Sequence, residues 1–478
     1  MPRLRTALAA SALAVVCLIP AGSAAAASAK PPHLRLFAAS SQVTIEKFGR
    51  GPVQLGVGAY LASLGGDFQL NVARHGYRSP IGVTQVIGGQ RRALPATVAH
   101  GWDGIAAFVN FTVSSASRGV IASRTTSFCP NDWNRQRVDG SGPLTPRYPQ
   151  FCGTNPFTLG SVWGIDRGWA VGLDGSAPAV RLPVGTYTVK VSLAPAYADM
   201  FGVAAADAST TVTVHVTRGQ PCPPACGGEL AHHNRGAAPP RLPHVSISSS
   251  PDPATMPDLI PLPAWGMGID RQGGHDYLDF GATVWDAGPA PMDVEGFRRP
   301  GTNIMDAFQY FFRNGKPVGR AKAGTLEYDS RPGHQHWHFL QFARYSLLSA
   351  SKSQVVRSEK EGFCLAPTDA IDLTVPGATW DPFSIGLEGQ CGDASSIWTR
   401  ETLPAGWGDT YFQFLPGQSF DITDLKNGAY YVEVRANPLG AIHETSTTND
   451  VRLRKVILGG TPGARTVHVP AWNGIDPE

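Results

Sequence analysis

Helical periodicity is scarce in this chain, and short alternating runs of β-branched and aromatic residues recur in its place. Thr186-Tyr187-Thr188-Val189-Lys190-Val191 is one, and the runs at 210–216 and 430–434 are others. Alternation with a period of two places successive side chains on opposite faces of an extended strand. The 54 glycines and 40 prolines punctuate these runs too closely for long helices. Short strands closed by turn residues predict an all-β chain of two β-sandwich-like domains.

The N-terminus carries Arg3 and Arg5, then an apolar run from Ala7 to Ile19, a break at Pro20 and small residues to Ala29. This pattern predicts a secretory signal peptide over 1–29, cleaved after Ala27-Ser28-Ala29, and hence a secreted, extracellular protein. Cys17 would be lost with it. No later stretch is long and apolar enough for a transmembrane segment. Loss of Arg3 and Arg5 lowers the formal charge of +3 by two. A nearly neutral chain has no electrostatic footprint for nucleic acid or anionic lipid. Six of the seven cysteines then remain. An even count in an exported chain points to disulfides. The local candidates are Cys129 with Cys152, Cys364 with Cys391, and Cys222 with Cys226.

Residues 218–255 are rich in proline and contain Ser248-Ser249-Ser250. Such a composition reads as a linker. It separates a domain at 32–217 from one at 256–460, which is followed by a tail at 461–478. The two domains share landmarks in the same order. FVNFTVSSASRGVIASRTTSFC at 108–129 parallels FARYSLLSASKSQVVRSEKEGFC at 342–364. Cys152-Gly153 parallels Cys391-Gly392, Val162-Trp163 parallels Ile397-Trp398, and Gly168-Trp169 parallels Gly406-Trp407. Gly185-Thr186-Tyr187 parallels Gly428-Ala429-Tyr430. Shared order and spacing predict a duplication whose N-terminal copy lacks metal ligands, because His100 stands alone where the metal strand is expected.

The chemistry concentrates in Gly333-His334-Gln335-His336-Trp337-His338-Phe339. On a strand, H-x-H-x-H puts three imidazoles on one face, about 7 Å apart between neighbouring Cα atoms. Three neutral imidazoles form a ligand set for Cu(II) or Zn(II) and leave a coordination position open. The plainer alternative is three polar residues on a wet strand. The chain has only 13 histidines in 478 residues, so three within five positions argues against it. Arg331-Pro332-Gly333 reads as a turn before the strand, and Phe339 to Leu348 reads as its aromatic-rich continuation. A zinc hydrolase would also want a nearby glutamate base, and no motif supplies one.

Three further motifs accompany the histidines: Lys360-Glu361-Gly362-Phe363-Cys364-Leu365, Gly408-Asp409-Thr410-Tyr411, and Asp421-Ile422-Thr423-Asp424. The last leads through Asn427-Gly428, a hairpin signal, into the run at 430–434. Together with Met256-Pro257-Asp258-Leu259-Ile260-Pro261, Asn437-Pro438, Glu444 and Thr448-Asn449-Asp450, these motifs resemble the lysyl oxidase family over about 256–458. The family's histidine triplet falls on His334, His336 and His338. Its cofactor lysine falls on Lys360 and its cofactor tyrosine on Tyr411. Animal members have a cysteine before the first histidine, where this chain has Gly333. Only Cys364 and Cys391 remain in the domain, and the resemblance implies that they pair.

The resemblance implies a copper(II) amine oxidase whose cofactor, lysine tyrosylquinone, is made from Lys360 and Tyr411. Such an enzyme takes a primary amine or lysine-bearing substrate and molecular oxygen, and gives an aldehyde, ammonia and hydrogen peroxide. Lys360 must be neutral to attack the oxidised ring, which burial favours. Asp409 shares a strand face with Tyr411 and is the candidate base, or equally a carboxylate that holds a ligand histidine in place. The competing expectation is a catalytically inactive metal-binding or cell-surface interaction protein. Lys360 and Tyr411 beside an intact triplet discriminate against it.

Overall fold

The computed structural model describes residues 30–219, 245–331, 335–358, 360, 362–383 and 391–478. The signal segment, Cys222 with Cys226, and His334 lie outside these residues.

The molecule is nearly all β. In the N-terminal half one sheet runs in the order Leu34–Ala38, Ala59–Ser63, Trp169–Gly172, Arg135–Arg137. A second runs Gly160–Ile165, Phe68–Ala73, Gly82–Ile87, Gln90–Ala93. A third carries Ser209–Arg218, Gly185–Leu193, Ile105–Ser115, Gly119–Phe128, with Gln42–Lys47 added in parallel at its edge. The C-terminal half repeats these orders. Its first sheet runs Leu259–Pro261, His275–Asp286, Trp407–Tyr411, Asp369–Ala370. Its second runs Trp398–Leu403, Met292–Arg298, Ile304–Arg313, Lys316–Asp329, and ends in His336–Phe339. That last strand has no counterpart among the described residues of the N-terminal half. The third sheet runs Val451–Thr461, Gly428–Ala436, Ala343–Leu348, Gln354–Arg357, with Ala464–His468 added antiparallel to Val451–Thr461. Among the described residues each half carries one disulfide, Cys129–Cys152 and Cys364–Cys391.

Two stretches depart from the sequence expectation. Phe339 to Leu348 is not one strand: His336–Phe339 and Ala343–Leu348 lie in different sheets. Between them the Gln341 side-chain oxygen accepts from the Thr325 backbone amide of Lys316–Asp329 at 3.0 Å, and from there the chain passes to the other sheet. Nor do the segments flanking Asn427-Gly428 form a hairpin. Ser419–Asp421 pairs with His275–Asp286, whereas Gly428–Ala436 pairs with Ala343–Leu348 and Val451–Thr461. An alternating pattern reports that a strand exists and not which edge it meets.

The end of the proline-rich segment is also more ordered than its composition suggests. Ser246 and Ser248 bond the Arg320 backbone, and Val245 packs near Tyr310 and Phe312. His336–Phe339 pairs only with residues 326–329 of the long Lys316–Asp329 strand. The rest of that edge would expose unpaired backbone groups, and the linker end covers part of it.

One apolar cluster fills each half, the C-terminal one around Trp337, Phe339, Phe363 and Tyr411. Tyr148 and Val162 of the N-terminal half reach into that C-terminal cluster. A smaller cluster joins Phe157 to Leu262, Trp285 and Ile371, with Tyr77 and Trp472 packed against it.

Candidate functional site

The histidine strand is fixed from behind. Trp337 is fully buried, donates its indole N–H to the Asp393 carbonyl at 2.9 Å, and its backbone amide bonds Cys391. With Trp337 on the core side, His336 and His338 share the opposite face. Their Nε2 atoms converge to 2.8 Å. Asp329 stands opposite His336 in the ladder and lies 3.8 Å from His338 Nδ1. Gln335 adopts φ 45°, and the strand begins at His336. Two of the three predicted ligands are therefore placed, by the period-two argument that singled them out.

Lys360 arrives from the loop between the third sheet and Cys364. Its backbone amide donates to Ser358 Oγ at 3.0 Å, and that hydroxyl donates to the Gly417 carbonyl. Gly362 in the same loop packs against His338, where an added Cβ would sit 2.7 Å from the histidine Cβ. Only glycine allows that approach.

Tyr411 is the last residue of Trp407–Tyr411. Its hydroxyl accepts from the Cys364 amide at 2.8 Å and lies 3.1 Å from the Cys364 carbonyl, to which it donates. Phe363 meets its ring edge-on at 5.2 Å. The Lys360 Nζ sits 4.3 Å from the centre of the Tyr411 ring. Asp409 is 3 % exposed, and its Oδ2 has no hydrogen-bond partner. His336, His338, Lys360, Asp409 and Tyr411 line one cavity of about 430 Å³, with Leu415 and Pro416 also in its wall.

Electrostatics favour neutral groups here. Burial lowers the Lys360 pKa to about 8, with the Asp409 charge opposing the shift. Burial raises the Asp409 carboxyl well above its ordinary value, with Lys360 opposing. The Tyr411 phenol is raised by burial and then by Asp409. Glu401 lies behind the site, also raised by burial; its Oε2 accepts from the Leu365 amide at 3.0 Å. Glu401 escapes sequence reasoning because its partner Leu365 is distant in the chain, and Ser358 adjoins the Lys360 motif but its bond to Gly417 is not legible there.

The donor chemistry suits copper: imidazole nitrogens converge beside a phenol, an amine and an unpartnered carboxylate oxygen. Fold and site define a two-part β protein whose C-terminal part holds a histidine, lysine and tyrosine pocket. Residues 312–464 of that part match the lysyl oxidase family model. Lysyl oxidase homolog 4 of Mus musculus is 27% identical over 157 residues, covering 33% of this chain and 18% of the relative. Lysyl oxidase homolog 3B of Danio rerio is 28% identical over 137 residues, 28% of this chain and 15% of its own. Lysyl oxidase homolog 3 of Homo sapiens is 26% identical over 137 residues, 28% and 16% respectively. The chain thus spans less than a fifth of the length of these relatives.

Proposed function

We propose that this protein is a secreted, copper-dependent amine oxidase. It converts a primary amine, peptidyl lysine among the candidates, to an aldehyde. Amine, oxygen and water are consumed, and aldehyde, ammonia and hydrogen peroxide are formed. The observation that carries the reading is Lys360 Nζ 4.3 Å over the Tyr411 ring in a cavity lined by His336 and His338.

His336 and His338, with His334, are the proposed copper ligands. Copper and a lysine tyrosylquinone made from Lys360 and Tyr411 would supply the two-electron redox chemistry. The chain's own residues prepare the site for it. Burial holds Lys360 near neutrality, so its lone pair is free at mildly alkaline pH. The paired bonds to Cys364 fix the Tyr411 ring with one face towards Lys360. Asp409 Oδ2, once ionised, is the proposed acceptor of the substrate α-proton: it is buried, has no hydrogen-bond partner among the described residues and lies in the same cavity, and its raised pKa makes the carboxylate a stronger base.

We further propose that residues 32–217 form a degenerate copy of the domain at 256–460, with no metal. Matching strand order, a matching disulfide and the missing counterpart of His336–Phe339 support this.

Tyr411→Phe tests the reading. It is expected to keep about one copper per chain and lose all peroxide formation from primary amines, with loss of carbonyl-reagent labelling. Wild-type turnover by Tyr411→Phe would sink the quinone assignment. Copper-loaded wild type without any Lys360–Tyr411 cross-link by mass spectrometry would favour the inactive binding protein.

A further inference from the structure

The N-terminal half grips the strands that carry the proposed site. Residues 154–160 run beside the Asp369–Ala370 strand, the outer neighbour of Trp407–Tyr411. Leu159 N–H donates to the Ile371 carbonyl at 2.7 Å, and Leu373 N–H donates to Gly160 at 2.9 Å. An added Cβ on Gly160 would lie 2.5 Å from Asp372 Oδ1, so the two chains approach as closely as glycine allows.

Two side chains extend this contact towards the cavity. Thr154 Oγ1 donates to Asp369 Oδ1 at 2.8 Å. Asp369 pairs with Gly408, next to Asp409. Asn155 Nδ2 donates to Thr283 Oγ1 at 3.0 Å, and Thr283 Oγ1 shares a 2.8 Å hydrogen bond with Thr410 Oγ1. Thr410 lines the cavity beside Tyr411. Asn155, Thr283 and Thr410 are all buried, so each bond runs in a low-dielectric interior with no water to replace it. Cys152, two residues before Thr154, is tethered to Cys129, which fixes the root of the segment.

We infer that Thr154 and Asn155 are positioning residues for the proposed active site: the N-terminal half holds Asp369 and Thr410 so that Asp409 and Tyr411 face Lys360. A half without ligands of its own thereby acts on the site of the other half. The inference rests on the amine-oxidase reading for its consequence and not for its geometry.

The test uses the full chain. Thr154→Val keeps shape and removes the hydroxyl, Asn155→Leu removes the amide donor, and Thr154→Ser restores the hydroxyl. In copper-free protein, Thr154→Val with Asn155→Leu is expected to speed amide exchange at 369–373 and 407–411 at least tenfold. Exchange at 428–436 should stay unchanged. On copper loading in air, the yield of the Lys360–Tyr411 cross-link should fall at least fivefold, and the Thr154→Ser protein should match wild type in both readouts. Unchanged exchange at 407–411, equal acceleration in both regions, or a Thr154→Ser protein as impaired as Thr154→Val would each overturn the inference. A wild type that forms no cross-link would defeat the proposed function, and the exchange data would still decide the positioning role.

Discussion

An ammonium loses hydration when the chain closes over it, and Lys360 responds by dropping its pKa from 10.5 to about 8. Between those values the unfolded chain holds a proton that the folded chain has released. Stability contributed by this group therefore rises with pH across that window, and the penalty is full below about 8. Lys360→Met is accordingly expected to raise the urea midpoint at pH 7, with the advantage over wild type shrinking by pH 10. In copper-free protein, acylation of Lys360 should be half-maximal near pH 8. Half-maximal labelling near 10.5 would show an ordinary solvated lysine. For the proposed copper ligands, protonation of imidazole would compete with metal, so copper content should fall as pH drops through about 6.5. His336, His338, Lys360 and Tyr411 were legible because each sits in a short motif. Asp369, Ser358 and Glu401 were not, because their roles come from contacts across the fold.

The histidine strand is short, and its placement rests on the residue between His336 and His338. Trp337 fills the core, bonds Asp393 and lies under the Arg298 guanidinium at 5.1 Å. Trp337→Ala is expected to cost about 3–5 kcal/mol in denaturant unfolding, as large core truncations do. It should also lower copper content, since the strand register would no longer be pinned. A loss under about 1 kcal/mol would mean that the ladder with Lys316–Asp329 alone holds the strand. At this scale the sequence told strands from helices and misjudged their partners. The Phe339 to Leu348 run changed sheets at Gln341, and Asn427-Gly428 joined strands of two sheets. Both errors have one cause: a period of two is a property of one strand, and pairing is a property of two.

Across the whole molecule, the seam between the halves carries charge as well as backbone bonds. Arg135 donates to Asp381 at 3.0 Å, with exposures of 11% and 6%, and also to the Tyr148 carbonyl. Tyr148 stacks on Trp380 beside it, 5.7 Å between ring centres. The repeated landmarks pointed to two related halves, but no local pattern could show this seam, because it joins residues 246 positions apart. Burial lowers the Arg135 pKa and the Asp381 charge opposes that shift more than any other group, so Asp381 is the guanidinium's main charge partner. Asp381→Asn would leave a cation facing an amide in a poorly hydrated seam. Breaking one side of a buried pair costs about 3–5 kcal/mol, whereas replacing both sides with apolar residues is often near neutral. Asp381→Asn is therefore expected to lower unfolding stability by about that amount. Arg135→Met combined with Asp381→Leu should recover most of it. If the single change costs under about 1 kcal/mol, the pair is solvent-screened like a surface bridge. If the double change is as damaging as the single, the seam depends on the bonds from Arg135 to the 148–149 carbonyls rather than on its charge partner.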